Sequence, residues 1–288
     1  MTPFGKHLIY LSYGDGSHVL ETQYSVCSVL RFLLPDPQDC AITIYTDHPE
    51  FFEGLPVNIE FLGPERLRDW AGPNNHEHRR KPAMLRHALN AFHVPTIAVD
   101  GDTYFVRHPS RAFAKLAPGH SVMHIREGCI SEHPMWRSFV DLRVCDRSGK
   151  EWHFPPDTTM WNGGVEGLHP SDVGIMDEVF ALMDSLYTEK LWIAEQFSTG
   201  NVFSRYSTIH ETANTIFHYW PDVYRSEFRR VLGEIIPRYS NLPISERIDA
   251  YYRHRPRPTP VRRAKKRIAS VLEGFGLQRR GWRPRISG

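Results

Sequence analysis

The sequence predicts an α/β fold: a mostly parallel sheet flanked by helices, with a helical C-terminal extension. Two observations predict it. Short apolar runs alternate with segments of helical periodicity through the first half of the chain, the pattern of parallel strands joined by right-handed crossovers. Several of those runs end abruptly in polar or glycine-containing turns, as buried strands do where they leave a sheet.

The elements follow in order. His7 to Ser12 reads as a first buried strand, closed by Tyr13-Gly14-Asp15-Gly16. Ser17 is placed to cap a helix from His18 to about Leu33, in which Leu20, Tyr24, Cys27, Val29 and Leu30 recur at helical spacing. Pro35-Asp36-Pro37 stops it. Ala41 to Tyr45 predicts a second strand, ending in Thr46-Asp47, and Val57 to Leu62 a third. Asp69 to Arg80 is polar and irregular and reads as a loop. Lys81 to Phe92 predicts a helix with Met84, Leu85, Ala88, Leu89 and Phe92 on one face, feeding a strand from Thr96 to Val99. Further strands are expected at Ser121 to Ile125 and Gly163 to Leu168, with a short helix at Pro134 to Leu142. Longer helices are expected at about Ser171 to Leu186, Ile193 to Phe203 and Asp222 to Ile236. The prolines of Arg253-His254-Arg255-Pro256-Arg257-Pro258-Thr259-Pro260 make a linker. Beyond it, Val261 to Phe275 reads as an amphipathic helix, with Ile268, Val271, Leu272 and Phe275 opposite Arg262, Arg263, Lys265 and Lys266. No internal repeat is evident.

At 288 residues, 41% hydrophobic and 24% charged, the chain has the composition of a globular protein with ample core. The opening MTPFGKHLIYLSYGDG lacks the apolar segment of a signal peptide, and no stretch reaches the length of a transmembrane span. Cys27, Cys40, Cys129 and Cys145 are scattered without a C-x-x-C pair, which argues against a zinc site and for reduced thiols in a cytoplasmic protein. The net charge of +2 hides an asymmetry. From Tyr252 to Gly288 twelve lysines and arginines face one acid, Glu273, a local +11 that leaves −9 for the rest. Such a tail fits peripheral attachment to an anionic inner-membrane face, with a merely solvated terminus as the other reading. Its aromatics, Phe275 and Trp282, are too sparse for a nucleic-acid stacking platform.

Ile97-Ala98-Val99-Asp100-Gly101-Asp102 is the most informative stretch. An apolar strand ends in two carboxylates spaced i, i+2, where side chains share one side and where ligands bind in open α/β sheets. Hard oxygen donors so placed suit Mg²⁺ or Mn²⁺, which take remaining ligands from substrate phosphates. Gly101 lets the backbone turn closely around a ligand. Four further features accompany the pair. Trp161-Asn162-Gly163-Gly164-Val165 joins an amide, able to address sugar hydroxyls, to glycines at a strand entry. Glu195-Gln196 lies near the start of a helix, His218 stands beside Tyr219 and Trp220, and Arg79-Arg80-Lys81 opens a helix. Cations there oppose the helix dipole unless an anion lies between them.

Taken together, these residues resemble the glycosyltransferases of the GT-A fold, especially the family-8-like nucleotide-diphospho-sugar transferases. Asp100-Gly101-Asp102 matches that family's metal-binding D-x-D and Asn162-Gly163-Gly164-Val165 its sugar-binding strand entry. Glu195-Gln196 is similar to its acidic-Gln pair near the donor sugar, and His218 to its late metal-ligand histidine. The order holds from about residue 6 to 221. The resemblance implies a GT-A catalytic domain over residues 1–240, with residues 241–288 as basic linker and tail. It implies that Asp100, Asp102 and His218 hold Mn²⁺ or Mg²⁺ against the diphosphate of a donor, UDP-sugar first among candidates. Tyr10, Ser12 and Tyr13 would then lie near base and ribose, Asn162, Gly163 and Gly164 near the sugar, and Lys81 and Asp100 within the donor site. Glu195 or Gln196 would oppose the charge of the transition state, with retention of anomeric configuration; Glu195 acting as base on the acceptor would instead invert it. A glycan or lipid-linked acceptor is implied. One departure is plain: the family follows its histidine with Lys-Pro-Trp, whereas Trp220-Pro221-Asp222 follows here, leaving Arg225 or Lys81 as the available cation. Two other readings stand beside this one. A nucleotidyltransferase would carry a basic glycine-rich loop after the first strand, of which Gly14-Asp15-Gly16-Ser17 is a faint and acidic version. A non-catalytic binding protein would keep the fold and dock through its tail.

Overall fold

The computed structural model describes residues 4–36, 39–188, 193–220 and 222–255. The linker and amphipathic helix expected between Pro256 and Phe275 lie outside the described residues. In chain order the strands are β1 (His7–Ser12), β2 (Ala41–Thr46), β3 (Asn58–Phe61), β4 (Thr96–Val99), β5 (Thr103–Phe105), β6 (His120–Met123), β7 (Arg126–Cys129), β8 (Leu142–Cys145), β9 (Glu151–Phe154), β10 (Thr159–Trp161), β11 (Val165–Leu168), β12 (Thr208–Glu211) and β13 (Ile216–His218). The helices are α1 (His18–Leu33), α2 (Pro64–Ala71), α3 (Arg80–Phe92), α4 (Ser110–Phe113), α5 (Ile175–Thr188), α6 (Ala194–Tyr206), α7 (Asp222–Tyr239) and α8 (Ile244–Arg253).

Seven strands form one sheet in the order β12-β6-β11-β4-β1-β2-β3, parallel throughout except for β11. This is the mostly parallel, helix-flanked α/β sheet that the sequence predicts. The central strands are apolar on both faces because helices cover both. On one face Leu8, Tyr10, Ile42, Ile44 and Ile97 pack against Val26 and Leu30 of α1, Leu232 and Ile235 of α7, and Ile248 and Tyr251 of α8. On the other, Ile9, Tyr45, Ala98 and Leu168 pack against Met84, Leu85 and Leu89 of α3, Met183 of α5 and Phe197 of α6. β3 is an edge, and its Phe61 is 61% exposed. Among the described residues no helix is long and apolar enough to cross a membrane.

The chain runs from β1 outward to β2 and β3 and then returns to place β4 on the other side of β1. That reversal opens a crevice beyond the carboxyl ends of β1 and β4, the place where such sheets receive ligands. Three two-stranded pairs, β5–β13, β7–β10 and β8–β9, are added around it.

Several elements differ from the sequence reading. The expected loop at 69–80 contains the end of α2, and a 3-10 turn, Glu77–Arg79, leads into α3. The helix expected at 134–142 is a 3-10 segment, Pro134–Phe139, followed by β8. Ser17 occupies the N-cap position of α1 but its side chain makes no cap bond. The small strands β5, β7, β8, β9, β10, β12 and β13 were not foreseen, since three- and four-residue runs carry too little periodicity to read. Residues 244–253, assigned with the tail from sequence, form α8, whose buried Ile248 and Tyr251 join the α1 face of the core.

Candidate functional site

A cavity of about 530 Å³ lies at the carboxyl ends of β1 and β4. Asp100 and Asp102 form its floor, as the turn between β4 and β5. The pairing of β13 with β5 sets His218 opposite Thr103, so a histidine 116 residues away in the chain arrives beside Asp102. One ligand atom each from Asp100, Asp102 and His218 lies within 4.8 Å of the others. His218 Nε2 is 3.2 Å from Asp102 Oδ1, and His218 Nδ1 is 2.8 Å from Asn162 Oδ1. The backbone N–H of Gly164 also donates to that Asn162 oxygen at 3.0 Å, which fixes the amide's orientation. In the tautomer that donates from Nδ1, His218 turns the lone pair of Nε2 toward the carboxylates. An acceptor held on the far ring nitrogen is the usual support of a metal-ligating imidazole.

The donor set of two carboxylates and one oriented imidazole therefore fits a divalent metal cation. The charge inventory agrees. Glu21, Glu77, Asp100, Asp102, Glu127 and Glu195 line the cavity against two permanent cations, Lys81 and Arg225.

Of the expected residues, Tyr13, Lys81, Asp100, Asp102, Asn162, Gly163, Gly164, Glu195, Gln196 and His218 all line this one cavity. Tyr10 and Ser12 do not. Tyr10 is fully buried with its hydroxyl 3.1 Å from Ser25 Oγ, and Ser12 is 1% exposed. Strand alternation explains both corrections: even positions of β1 face α1, while Leu11 and Tyr13 reach the cavity. Two of the cavity's glycines also permit close packing. A Cβ at Gly101 would lie 2.5 Å from Thr22 Oγ1 of α1, and one at Gly164 would lie 2.2 Å from His218 Nδ1.

The cationic triplet at the start of α3 separates by direction. Arg79 pairs with the buried Asp184 at 2.9 Å, and Arg80 bonds the Leu67 carbonyl with its guanidinium 4.7 Å from the Tyr13 ring. Lys81 alone enters the cavity. Its Nζ donates to Gly163 O at 2.7 Å and stands 3.0 Å from Glu195, 3.3 Å from Asp100 and 3.8 Å from Glu166. Although burial opposes it, those three carboxylates hold the Lys81 ammonium well above its ordinary value. Burial pushes Asp100 up, and Lys81 draws it back. Glu195 is depressed: burial alone would raise it, but Lys81 overrides that. Glu166, fully buried on β11 with neither oxygen meeting a donor, is pushed well above the carboxylate range, by burial first and by Glu195 second. Asp102 falls below the usual range despite burial, held there by His218 and then Arg225.

Sequence reasoning missed Glu127, Glu166 and Glu21. Glu127 on β7 accepts from Asn162 Nδ2 at 2.9 Å and from Gln196 Nε2 at 3.5 Å, tying two foreseen residues together. Nothing near it in sequence signals this; only the β7–β10 pairing brings it to Asn162.

No protein-family model matches the chain, and no curated protein matches it. Among solved structures it is similar to the apo form of mouse xyloside xylosyltransferase 1, with 13% sequence identity over 72% of this chain and 84% of that one, and a TM-score of 0.45.

Proposed function

We propose that this chain is a metal-dependent glycosyltransferase, moving a sugar from a nucleoside diphosphate sugar to an acceptor hydroxyl. The observation that carries this reading is the meeting of Asp100, Asp102 and His218 beyond the carboxyl ends of β1 and β4. They sit in a cavity whose carboxylates outnumber its cations six to two. Coulomb repulsion opposes a bare diphosphate in such a site, and a divalent cation held there would offset it. Asp100, Asp102 and His218 would hold a cation, which would supply Lewis acidity and offset charge on a leaving diphosphate.

The chain's own groups do the rest. Asn162 holds the His218 ring, and Glu127 holds Asn162 and Gln196. Glu195, buried and kept ionised by Lys81, is the anion that opposes positive charge developing at the anomeric carbon. Tyr13, backed by Arg80, offers a wall for the nucleoside. The partly buried Met135 and the buried Trp136 and Ile193 give the cavity an apolar side for the acceptor. The family-8-like assignment, Mn²⁺ or Mg²⁺, a UDP-sugar donor, retention and a glycan or lipid-linked acceptor belong to the same proposal. They are supported by the family-like motifs that share this cavity. The basic tail is proposed to hold the protein on the anionic cytoplasmic face of a membrane, and the +11 charge of residues 252–288 supports that.

The test is a panel of nucleotide sugars with Mn²⁺ or with chelator, on wild type and on Asp102→Asn. One donor is expected to be hydrolysed or transferred only with metal. The variant is expected to lose on the order of 100-fold or more in kcat/KM with its circular dichroism unchanged. Full activity in Asp102→Asn would refute the proposal.

A further inference from the structure

We infer that Arg225 is the cation that receives the donor's diphosphate, and that Glu21 is the residue that holds it in position. This rests on the transferase reading above and extends it to two residues of α1 and α7.

Glu21 has one guanidinium more than it needs. Glu21 lies on α1 at 0% exposure, yet it touches the cavity. One guanidinium is enough to compensate a buried carboxylate, and Arg229 supplies it, with Nε 3.2 Å from Oε1 and Nη2 3.0 Å from Oε2. Arg225 repeats the same fork, with Nε at 3.3 Å and Nη2 at 3.2 Å. The second fork has a different consequence. With Nε and Nη2 turned to Glu21, the remaining Nη1 edge of Arg225 points at the cation-binding cluster, 3.2 Å from Asp102 Oδ2. A bidentate carboxylate fixes the plane of a guanidinium as well as its charge, which a lysine could not offer. Arg229 has no such third contact among the described residues and does not line the cavity.

The other cation of the cavity lies deeper. Lys81 faces three carboxylates and the Gly163 carbonyl, and its side chain is only 12% exposed, whereas that of Arg225 is 32% exposed. An incoming anion therefore meets Arg225. Arg225 stands seven residues after His218, in the first turn of α7. Glu21 is a positioning residue: it acts through Arg225.

The experiment uses the full chain at saturating Mn²⁺, with UDP, GDP and CDP as probes in titration calorimetry, and Mn²⁺ binding alone measured by electron paramagnetic resonance. For the nucleoside diphosphate that wild type binds, Arg225→Gln is expected to lower affinity by about 10- to 100-fold, the scale of a lost charge-assisted pair. Arg225→Lys is expected to recover only part of this. Glu21→Gln is expected to lower nucleotide affinity by roughly three- to tenfold, through loss of orientation, with Mn²⁺ affinity retained. Arg229→Gln removes a cation from the same carboxylate and is expected to lower the thermal midpoint while sparing nucleotide affinity. Binding by wild type that is unchanged in Arg225→Gln overturns the inference and leaves the transferase reading standing. A Glu21→Gln variant that loses only thermal stability overturns the role of Glu21. Failure of wild type to bind any of the three probes overturns the transferase reading itself.

Discussion

The two ends of the cavity hold the same kinds of side chain in opposite balance. Around Asp102, one carboxylate faces His218 and Arg225, and it is kept ionised. Around Lys81, three carboxylates share one ammonium, and the deepest of them, Glu166, is pushed toward its neutral form. The first arrangement is suited to hold a cation and the diphosphate beside it. The second keeps Glu195 charged, by pairing it with Lys81 and leaving its buried neighbour to carry the proton. The difference comes from position. Asp102 lies in a turn that α7 and β13 can reach, whereas Glu166 sits within β11, where Lys81 is its one ion-pair partner among the described residues.

Removing Lys81 breaks this contrast most severely. Lys81→Met leaves Asp100, Glu166 and Glu195 without their shared cation, and a loss of about 3–5 kcal/mol at neutral pH is expected from urea unfolding. The sign of its pH dependence follows from linkage. Carboxyls whose folded values are raised contribute stability that is present below the ordinary carboxylate range and disappears as pH rises through the raised values. The deficit should therefore shrink between pH 7.5 and pH 5. An equal deficit at both would mean that the three acids do not depend on Lys81.

Gly164 tests the other end. The Gly164→Ala methyl would lie 2.2 Å from His218 Nδ1, so the ring must move off Asn162 and away from Asp102. A stability loss of about 1–3 kcal/mol is expected, with Mn²⁺ affinity falling alongside. Gly174→Ala, where nothing lies within 4 Å, is the matched control and should change neither. If Gly164→Ala binds Mn²⁺ as wild type does, His218 is not a ligand.

How much of this was legible follows the same division. Asp100-Gly101-Asp102 could be read because an apolar strand and its acidic end are adjacent in sequence, and α3 delivers Lys81 by a clear helical face. Tyr10 and Ser12 were misassigned because proximity to a strand's carboxyl end does not reveal which face a side chain takes. The sheet's order decides that, and it placed α1 against the even positions of β1. Glu127, Glu166 and Glu21 were not legible at all. Each is an ordinary acid in its local context, and each reaches the site through a non-local pairing: β7 with β10, β11 with β4, and α1 with α7. Gly164 was read as space for a ligand, but the space belongs to a histidine 54 positions later, which only the fold brings there.

The finest test of the contrast is Glu166→Gln, which replaces a neutral carboxyl by a neutral amide of nearly the same shape. In the unfolded chain Glu166 ionises in the ordinary carboxylate range, so folding at higher pH requires it to take up a proton. The amide requires none. At pH 5 the variant should lie within about 1 kcal/mol of wild type. As pH rises it should gain relative to wild type, because wild type loses the contribution of a group whose folded value is raised. Denaturant unfolding at several pH values, without added metal, measures this directly. A variant that instead weakens with rising pH would show Glu166 to be ionised and paired with Lys81, and the two ends of the cavity would then not differ in kind.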